Sequence, residues 1–408
     1  MSYFNEIRFA QSETLDAFGR VRTSTPTSLS DAQFTYGLNP LIYQPIVTTN
    51  GGEALTHDAT NACANMAFTA SPNNSQCYMQ TYDYIRYQPG KSQEIFVTFN
   101  FKGGVANCRK FAGYSDGLNG VEYQLNGTTP QFVIYSETTN GNQTKTQSQW
   151  NIDKFDGTGP SGLTLDVNNE QILYINFQAL YVGRVSVGFD INGKVYLAHT
   201  FDHANIVPTP YIRTANLPIR CGMVTTGTVT TSMIFNCYTV ISEGGQEDTV
   251  GYTFVTPLTS VNAASGARTH LISIEPKPTF NSIVNRSRLV IDSVSFLVTG
   301  NNPVFWELCL GQAITGGGAR TDVNGTYSAV RYTTAALSGS PAIVIDSDYI
   351  PATNQTKTAL QGYKVNIRYP ITLDAAGDVR DLGRLTLLVQ GIGGTSTTHG
   401  QIKWKEIR

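Results

Sequence analysis

The chain has 408 residues, of which 40% are hydrophobic and 14% are charged, and its formal net charge is −2. This composition excludes a disordered chain, since disorder requires low hydrophobicity and high net charge. It also excludes a long-helix protein, which would be rich in Glu, Lys, Ala and Leu. Without a basic surplus we expect no nucleic-acid partner. Without an apolar run long enough to span a bilayer we expect no membrane partner.

The N-terminal residues predict an arm over residues 1–35. They are polar, have no clear hydrophobic period and contain Pro26 in a Thr/Ser-rich stretch. Such a segment cannot bury much of itself, so we expect it to dock on another protein or on the main domain. Met1–Arg8 lacks the apolar stretch of a signal peptide. We therefore expect the protein to fold in the cytoplasm of the cell that makes it.

Signals for β-structure dominate from about Phe34 onward. Asn-Gly pairs, which tolerate the positive φ angles of type I′ turns, occur repeatedly between alternating runs. The strongest case is Val185–Tyr196, where apolar and polar residues alternate on both sides of a central Asn-Gly pair and predict a hairpin. Asp31–Leu38 and Leu55–Phe68 are the only stretches that we predict as short helices.

Further strands are predicted where β-branched or aromatic residues are enriched. They are Glu94–Phe101, Gly120–Leu125, Gln131–Tyr135, Gln171–Phe177, Ser232–Val240, Arg288–Val298, Phe305–Leu310, Tyr363–Tyr369 and Arg384–Gln390. Many short strands separated by turn signals favour antiparallel sandwiches over a parallel α/β fold. The chain is therefore predicted to be all-β.

The predicted domain boundary is Ser242–Asp248, which contains glycine, is acidic and has few apolar residues. The length of the chain favours two domains over one compact core. We predict a large antiparallel sandwich over residues 36–245 and a smaller C-terminal β-sandwich over residues 250–408. Together with the N-terminal arm, these two sandwiches account for nearly the whole chain.

Two motifs resemble catalytic signatures but fail in their surroundings. Gly113–Gly117 matches GxSxG, yet a nucleophile elbow needs a helix after the serine, and Leu118–Tyr123 has the pattern of a turn leading into a strand. Gly157–Gly162 matches GxGxxG, but Pro160 and the lack of a βαβ unit predict a surface loop. We therefore interpret Ser115 as a loop residue and expect no dinucleotide cofactor.

Metal-site signals are weak. Asp153 and Asp156, or Asp116 and Asn119, offer oxygens of the kind that Ca²⁺ prefers, but the EF-hand spacing is absent and such residues mostly form local turns. The six cysteines are scattered and form no CxxC pair, so we interpret them as small buried hydrophobes. We expect no metal ion and no other cofactor.

The aromatic content raises the question of carbohydrate binding. The 21 tyrosines can stack on sugars from a sheet face, but we favour assembly contacts because Tyr also packs at interfaces and sheet edges. His199 and His203 lie in a predicted strand end and loop, where a structural role is favoured. The clustered paired carboxylates of glycoside hydrolysis are absent from the sequence. We therefore expect no catalytic residue and a chain that is not an enzyme.

Taken together, several stretches resemble a family of virion structural proteins of tailed bacteriophages that is well represented among marine phages. These stretches, in chain order, are Leu15–Arg22, Asp31–Gly37, Trp150–Gly162, Val182–Phe189, Ile191–Lys194, Asn216–Arg220, Val240–Gly245 and Trp404–Arg408. They span nearly the whole chain in the expected order. Members often carry an aromatic or acidic residue after Asn-Leu-Pro-Ile-Arg, whereas this chain has Cys221 and Gly222.

The resemblance implies a virion protein whose middle part is a jelly roll of the concanavalin or laminin-G type. We expect a subunit of the tail, baseplate or fibre that assembles with other virion proteins and forms a homo-oligomer. The alternatives are a capsid decoration protein and a module that binds a host surface glycan. In the leading hypothesis, that of a tail, baseplate or fibre subunit, Phe18 is an apolar anchor of the arm, and Arg20 and Arg22 pair with acidic groups on a neighbouring protein. Alternatively, the arm packs on its own domain.

Overall fold

The structure is a computed structural model that describes residues 26–178, 180–245, 251–311, 313–314, 318–339, 341, 343–352, 358–359 and 371–408. The chain divides into two compact units between Glu247 and Asp248. This division falls within the acidic stretch Ser242–Asp248. The described residues contain no α-helix, and their only helical turns are the short 3₁₀ segments Gln147–Gln149 and Asp381–Gly383. The prediction of an all-β chain is confirmed.

Unit 1 contains fifteen strands among its described residues. They are β1 (Pro26–Gln33), β2 (Tyr43–Val47), β3 (Glu53–Asp58), β4 (Cys63–Ser71), β5 (Gln76–Thr81), β6 (Ser92–Asn100), β7 (Cys108–Ser115), β8 (Gly120–Asn126), β9 (Thr129–Tyr135), β10 (Gln143–Thr146), β11 (Gln171–Phe177), β12 (Val185–Ile191), β13 (Lys194–Phe201), β14 (Ile219–Thr225) and β15 (Val229–Glu243).

These strands form a jelly-roll sandwich of two antiparallel sheets. The eight-stranded sheet has the order β13-β12-β11-β6-β15-β4-β3, with β1 paired to β15, and the seven-stranded sheet has the order β10-β9-β8-β7-β14-β5-β2. One hydrophobic core contains residues of both sheets, including Phe99 of β6 and Tyr123 of β8. Burying such aromatic side chains is the main source of stability in a sandwich of this kind.

Unit 2 is a smaller arrangement of strands with a separate core. Its described strands are β16 (Tyr252–Val255), β17 (Thr259–Ala263), β18 (Thr269–Pro276), β19 (Thr279–Phe280), β20 (Ile283–Val284), β21 (Arg288–Thr299), β22 (Val304–Leu310), β23 (Ala313–Ile314), β24 (Thr321–Asp322), β25 (Val330–Thr333), β26 (Leu337–Ser338), β27 (Ile343–Ile350), β28 (Thr358–Ala359), β29 (Leu385–Gly391) and β30 (Ser396–Ile407).

Two main sheets make up unit 2. One has the order β16-β30-β21-β28, with β17 also paired to β30, and the other has the order β24-β25-β18-β29-β22-β27. The core of the unit includes Trp404 of β30 and Trp306 of β22, both of which are almost fully buried. In the part of the chain that the structure describes, we find no helix with the length and apolar character needed to cross a membrane.

The predicted hairpin at Val185–Tyr196 is confirmed. Strands β12 and β13 pair in antiparallel register with Ile191 opposite Lys194. The two turn residues, Asn192 and Gly193, have φ angles of 57° and 78°. Both angles are positive, as a type I′ turn requires, and this turn matches the right-handed twist of the flanking strands.

The turn gives a first testable prediction. A Cβ atom at position 193 would meet no other atom within 4 Å, so replacing Gly193 by alanine adds no clash and changes only the backbone preference. We expect Gly193→Ala to lower the free energy of unfolding by about 1 kcal/mol, because alanine disfavours this positive φ. Denaturant unfolding of the two proteins would measure the difference. An unchanged midpoint would contradict this description of the turn.

The two predicted helices are wrong. Residues 55–68 form the hairpin of β3 and β4, because Asp58 accepts hydrogen bonds from the backbone N–H groups of Thr60 and Asn61 and stabilises a turn there. Residues 31–33 lie in β1, which pairs with β15. In both cases cross-strand pairing and burial on one face outweigh a weak helical pattern.

The structure describes only the last part of the predicted N-terminal arm. Residues 26–33 of the predicted arm form β1 of the sandwich, whereas residues 1–25 lie outside the described residues, as does the predicted strand Tyr363–Tyr369.

All six cysteines are free thiols, and five of them are buried, as predicted. Cys237 is partly exposed.

Candidate functional site

A polar face covers the side of the seven-stranded sheet that points away from the core of unit 1. Side chains alternate across a strand, so in β8 Tyr123 enters the core while Glu122 and Gln124 lie on the opposite face. Five neighbouring strands contribute charged, amide and aromatic side chains to this face. We call this set the arginine face, and it consists of Tyr78, Gln80, Arg109, Phe111, Glu122, Gln124, Gln131, Tyr135 and Arg220.

Glu122 lies at the centre of the arginine face and is fully buried. Its Oε2 atom lies 3.4 Å from Nη1 of Arg109 and accepts a hydrogen bond of 2.7 Å from Nε2 of Gln124. Its Oε1 atom lies 3.7 Å from Nη1 of Arg220. A buried carboxylate requires such partners, since an unpaired charge would be costly to desolvate.

Arg220 is held in place by aromatic rings. Its guanidinium carbon lies 4.3 Å from the centre of the Tyr78 ring and 4.8 Å from that of the Phe111 ring. Arg109 also stacks on Phe111, at 4.9 Å. Stacking of this kind suits the planar guanidinium group and leaves its edge available for hydrogen bonds.

Fixed hydroxyl and amide groups surround the two arginines. The hydroxyl oxygen of Tyr135 accepts hydrogen bonds of 2.8 Å from Nη1 of Arg109 and from Nε2 of Gln124. Gln131 donates from Nε2 to Oε1 of Gln124 at 3.0 Å. Burial raises the pKa of Tyr135, so its hydroxyl group remains protonated at neutral pH. The face therefore presents polar groups whose positions are fixed by one another.

A glycine in β14, Gly222, leaves space for the ring of Tyr78 on this face. A Cβ atom at Gly222 of β14 would lie 2.1 Å from Cβ of Tyr78 and 2.5 Å from the carbonyl oxygen of Cys77. Real atoms do not approach this closely, so only glycine allows Tyr78 to pack across β14 beside Arg220.

Replacing Gly222 by alanine is expected to lower the free energy of unfolding by about 1–3 kcal/mol, because the added methyl group overpacks the sheet. Thermal unfolding would measure this effect. The control is Gly325→Ala, since a Cβ there would meet no atom within 4 Å and we expect almost no change. Equal melting temperatures for the Gly222 variant and the wild type would contradict the close packing of Tyr78.

The predicted assembly residues Phe18, Arg20 and Arg22 lie outside the described residues. The GxSxG serine, Ser115, is the last residue of β7 and not part of a loop, and its Oγ accepts a hydrogen bond from the N–H of Gly117. Asp116 then accepts hydrogen bonds from two backbone N–H groups of the following turn. The structure thus places this motif in a strand–turn–strand unit, without the helix of a nucleophile elbow.

The GxGxxG stretch is a loop that is closed by an aspartate. Asp153 accepts hydrogen bonds from the backbone N–H groups of Phe155 and Ser161, each at 2.8 Å. Asp156 accepts one from the N–H of Thr158. These carboxylates therefore stabilise local turns. Within the described residues, no group of three or more His, Cys, Asp or Glu side chains is placed to hold a metal ion.

Both histidines of the predicted pair have structural partners. His199 Nδ1 accepts a hydrogen bond of 3.1 Å from the N–H of Asn151, and burial lowers the pKa of His199 to about 4. His203 stacks on Tyr211 with ring centres 3.9 Å apart, and its pKa is also lowered by burial. Both are therefore neutral at pH 7 and contribute to packing.

Sequence reasoning did not identify the arginine face. Arg220 closes the stretch Asn216–Arg220, which carried part of the family resemblance, but nothing in its spacing pointed to Arg109 or Glu122. The available signal was the alternation of polar and apolar residues in two strands, β7 and β8, whose apolar residues enter the core. Polar residues that alternate with core residues in a strand indicate a sheet face that does not pack into the core.

Unit 2 has its own cluster of buried charges. Glu275 of β18 is 1% exposed and accepts hydrogen bonds from Nε of Arg320 at 2.9 Å, from Nε of Arg331 at 2.7 Å and from Nε of Arg384 at 2.6 Å. On the same sheet, Glu307 forms a bidentate ion pair with Arg268. Because Glu275 is buried and its three arginine partners come from three segments of the chain, we interpret this cluster as structural.

Comparisons with known proteins bear on the fold. No protein-family model and no curated protein matches the chain. Among solved structures it is similar to endo-β-1,3-glucanase from Pyrococcus furiosus, with 11% identity, 54% of this chain and 95% of that chain covered, and a TM-score of 0.36. The β-glucanase of Bacillus licheniformis matches with 15% identity, coverages of 53% and 97%, and a TM-score of 0.31. A carbohydrate esterase from the Shiga toxin-encoding bacteriophage phi24B matches with 14% identity, coverages of 53% and 99%, and a TM-score of 0.33.

These matches correct one prediction. The expectation that the chain is not an enzyme is contradicted, because glucanases and a carbohydrate esterase are among the structures that it resembles. With identities of 11–15% and TM-scores of 0.31–0.36, the matches assign neither a reaction nor a substrate to this chain. On the arginine face itself, the described residues supply one carboxylate, that of Glu122.

Proposed function

We propose that this chain is a structural subunit of a tailed-phage particle, in the tail, baseplate or fibre, and that its arginine face binds a glycan of the host surface. The virion assignment is supported by the resemblance of several sequence stretches, which occur in the expected order along nearly the whole chain. The glycan assignment is supported by one structural observation, the partly exposed hydrogen-bonding groups of Arg109 and Tyr135, which other side chains of the arginine face hold in place.

The chemistry of the arginine face suits a sugar. Sugar rings present hydroxyl groups, which need donors and acceptors in fixed positions. Tyr135 and Gln131 supply such groups, and their positions are set by hydrogen bonds to Gln124. Since these side chains are already ordered, binding would require little loss of conformational entropy.

The proposed partners of the chain are proteins of the same particle. Other virion proteins and further copies of the same chain are the proposed partners, and Phe18, Arg20 and Arg22 are the proposed contact residues of the arm. Deleting residues 1–25 leaves β1 intact and tests this role. We expect the truncated protein to fold but to be missing from particles, and its full incorporation would refute the role of the arm.

The position on the particle is tested by immunogold labelling of purified phage with an antibody against residues 250–408. Gold along the tail or at its tip is the expected result. Gold distributed over the head would instead support the alternative of a capsid decoration protein and would refute the tail position. Particles without any specific label would refute the virion assignment itself.

A further inference from the structure

We infer that the glycan bound by the arginine face carries a carboxylate group, and that Arg109 and Arg220 bind this carboxylate. The inference rests on the glycan-binding part of the proposed function. It names the chemical class of sugar, a uronic acid or another carboxylated monosaccharide, which the proposed function leaves open.

The arginine face carries an excess of positive charge. Two guanidinium groups face one carboxylate, so one positive charge on the arginine face has no counterpart within the face. Two acidic groups on the adjoining turns have other partners. Asp116 accepts from N–H groups of its own turn, and Glu137 lies 3.5 Å from Arg213. An anionic ligand would complete the pairing of charges.

Arg220 has a buried donor without a partner among the described residues. Arg220 is 9% exposed, yet it makes no hydrogen bond to any described residue, and its only polar contact is the ion pair of 3.7 Å with Glu122. A buried guanidinium group normally has its donors satisfied. The Nε atom of Arg220 has no acceptor among the described residues, and Oε1 of Glu122 lies beyond hydrogen-bond distance of its Nη1 atom.

Arg109 is the arginine of this face that a ligand can reach from solvent. The side chain of Arg109 is 25% exposed, and among the described residues only its Nη1 atom has hydrogen-bond partners, namely Glu122 and Tyr135. Its Nε and Nη2 atoms therefore remain as a planar pair of donors. This geometry matches the two oxygens of a carboxylate, which accepts two parallel hydrogen bonds from arginine.

The experiment compares one polymer in two chemical states. Polygalacturonate and the same polymer after reduction of its carboxyl groups to primary alcohols differ only in the acid function. Binding of the purified full chain to both would be measured by titration calorimetry, together with a panel of neutral and acidic bacterial surface polysaccharides. We expect binding to carboxylated sugars and at least about tenfold weaker binding to their reduced forms.

Variants then locate the site. Arg109→Gln removes the exposed donor pair and is expected to weaken binding about tenfold or more. Arg220→Lys keeps the positive charge but removes the planar guanidinium group. Arg184→Gln is the matched control, since Arg184 forms a surface ion pair with Asp202 on another sheet and its loss should not change binding. Circular dichroism and melting temperatures confirm that each variant is folded.

Each outcome decides one statement. Equal binding of the acidic and the reduced polymers would overturn the carboxylate inference and leave glycan binding in place. Acid-dependent binding that survives in Arg109→Gln, or that is lost equally in Arg184→Gln, would overturn the assignment to the arginine face. The absence of binding to every polysaccharide would refute glycan binding as well, while immunogold labelling would still decide the virion assignment.

Discussion

Replacing Glu275 by glutamine is expected to lower the free energy of unfolding of unit 2 by about 3–5 kcal/mol. The change keeps the size of the side chain but removes the negative charge on which Arg320, Arg331 and Arg384 converge. Removing one member of a buried ion pair leaves uncompensated charge in a poorly solvated site, and this is more damaging than the loss of the pair alone. Denaturant unfolding at pH 7, monitored by tryptophan fluorescence, would measure the effect.

The control for this prediction is Asp292→Asn in the same unit. Asp292 lies 3.0 Å from Nζ of Lys403, but both side chains are substantially exposed, so we expect a loss of at most about 1 kcal/mol. Similar losses for the two variants would mean that the Glu275 cluster behaves as a surface ion pair and would contradict our interpretation of it.

The same cluster predicts a dependence on pH. Burial by itself would raise the pKa of Glu275, but the charges and hydrogen bonds of Arg384, Arg331 and Arg320 outweigh it and hold the pKa below its ordinary value of 4.5. A lowered pKa contributes stability that is fully present above 4.5 and is lost as the pH falls through the lower value of the folded state. The difference between wild type and Glu275→Gln should therefore be constant near neutrality and shrink in acid.

Replacing Lys110 by alanine is the second change with a large expected effect, a loss of about 3–5 kcal/mol from unit 1. Lys110 is 1% exposed, and its Nζ atom donates to the carbonyl oxygens of Phe101 at 2.5 Å, Gly103 at 3.0 Å and Ser232 at 2.8 Å. The alanine variant deprives three carbonyl groups of this donor and removes the packed stem of the side chain.

Two further variants separate these contributions. Lys110→Met keeps the stem and should lose only the part that comes from the carbonyl groups, about 2 kcal/mol. Lys154→Ala removes an exposed lysine of the same unit and should change little. A Lys110→Ala variant as stable as Lys154→Ala would show that the buried ammonium group does not join these segments.

Alkaline pH provides an independent test of Lys110. Burial lowers the pKa of Lys110 from its ordinary value of 10.5 to about 8. Between these values the unfolded chain binds more protons than the folded chain, so stability rises with pH by about 1.4 kcal/mol per unit and reaches its full value above 10.5. Relative to Lys110→Met, the wild type should therefore gain stability from pH 8 upward. A constant difference would show that the pKa of Lys110 is unshifted.

Much of the fold could be predicted because its signals are local. The strand at Gln171–Phe177 has the predicted bounds, and the hairpin around Asn192 and Gly193 forms where the turn residues indicated. Turn chemistry and the two-residue alternation act within a few residues of chain, so they can be recognised in a single sequence. The predicted helix Leu55–Phe68 failed because pairing between β3 and β4 outweighs a weak local period.

The arginine face illustrates the opposite case. Arg109 and Arg220 are 111 positions apart in the sequence, yet β7 and β14 are neighbours in the sheet, and their register brings both guanidinium groups to Glu122. No property of the single residues encodes this register, because it results from pairing between distant strands. The same holds for Glu275, whose three partners come from distant positions in unit 2.

The amino-acid sequence by itself determined the all-β class of this protein, the positions of ten of its thirty described strands and the free state of its thiols, because propensity, alternation and turn residues act locally. Only the tertiary structure decided which polar side chains share a face, which of them are buried and which charges lack a counterpart. These properties depend on strand order and register, which arise when the two sheets close on a common core.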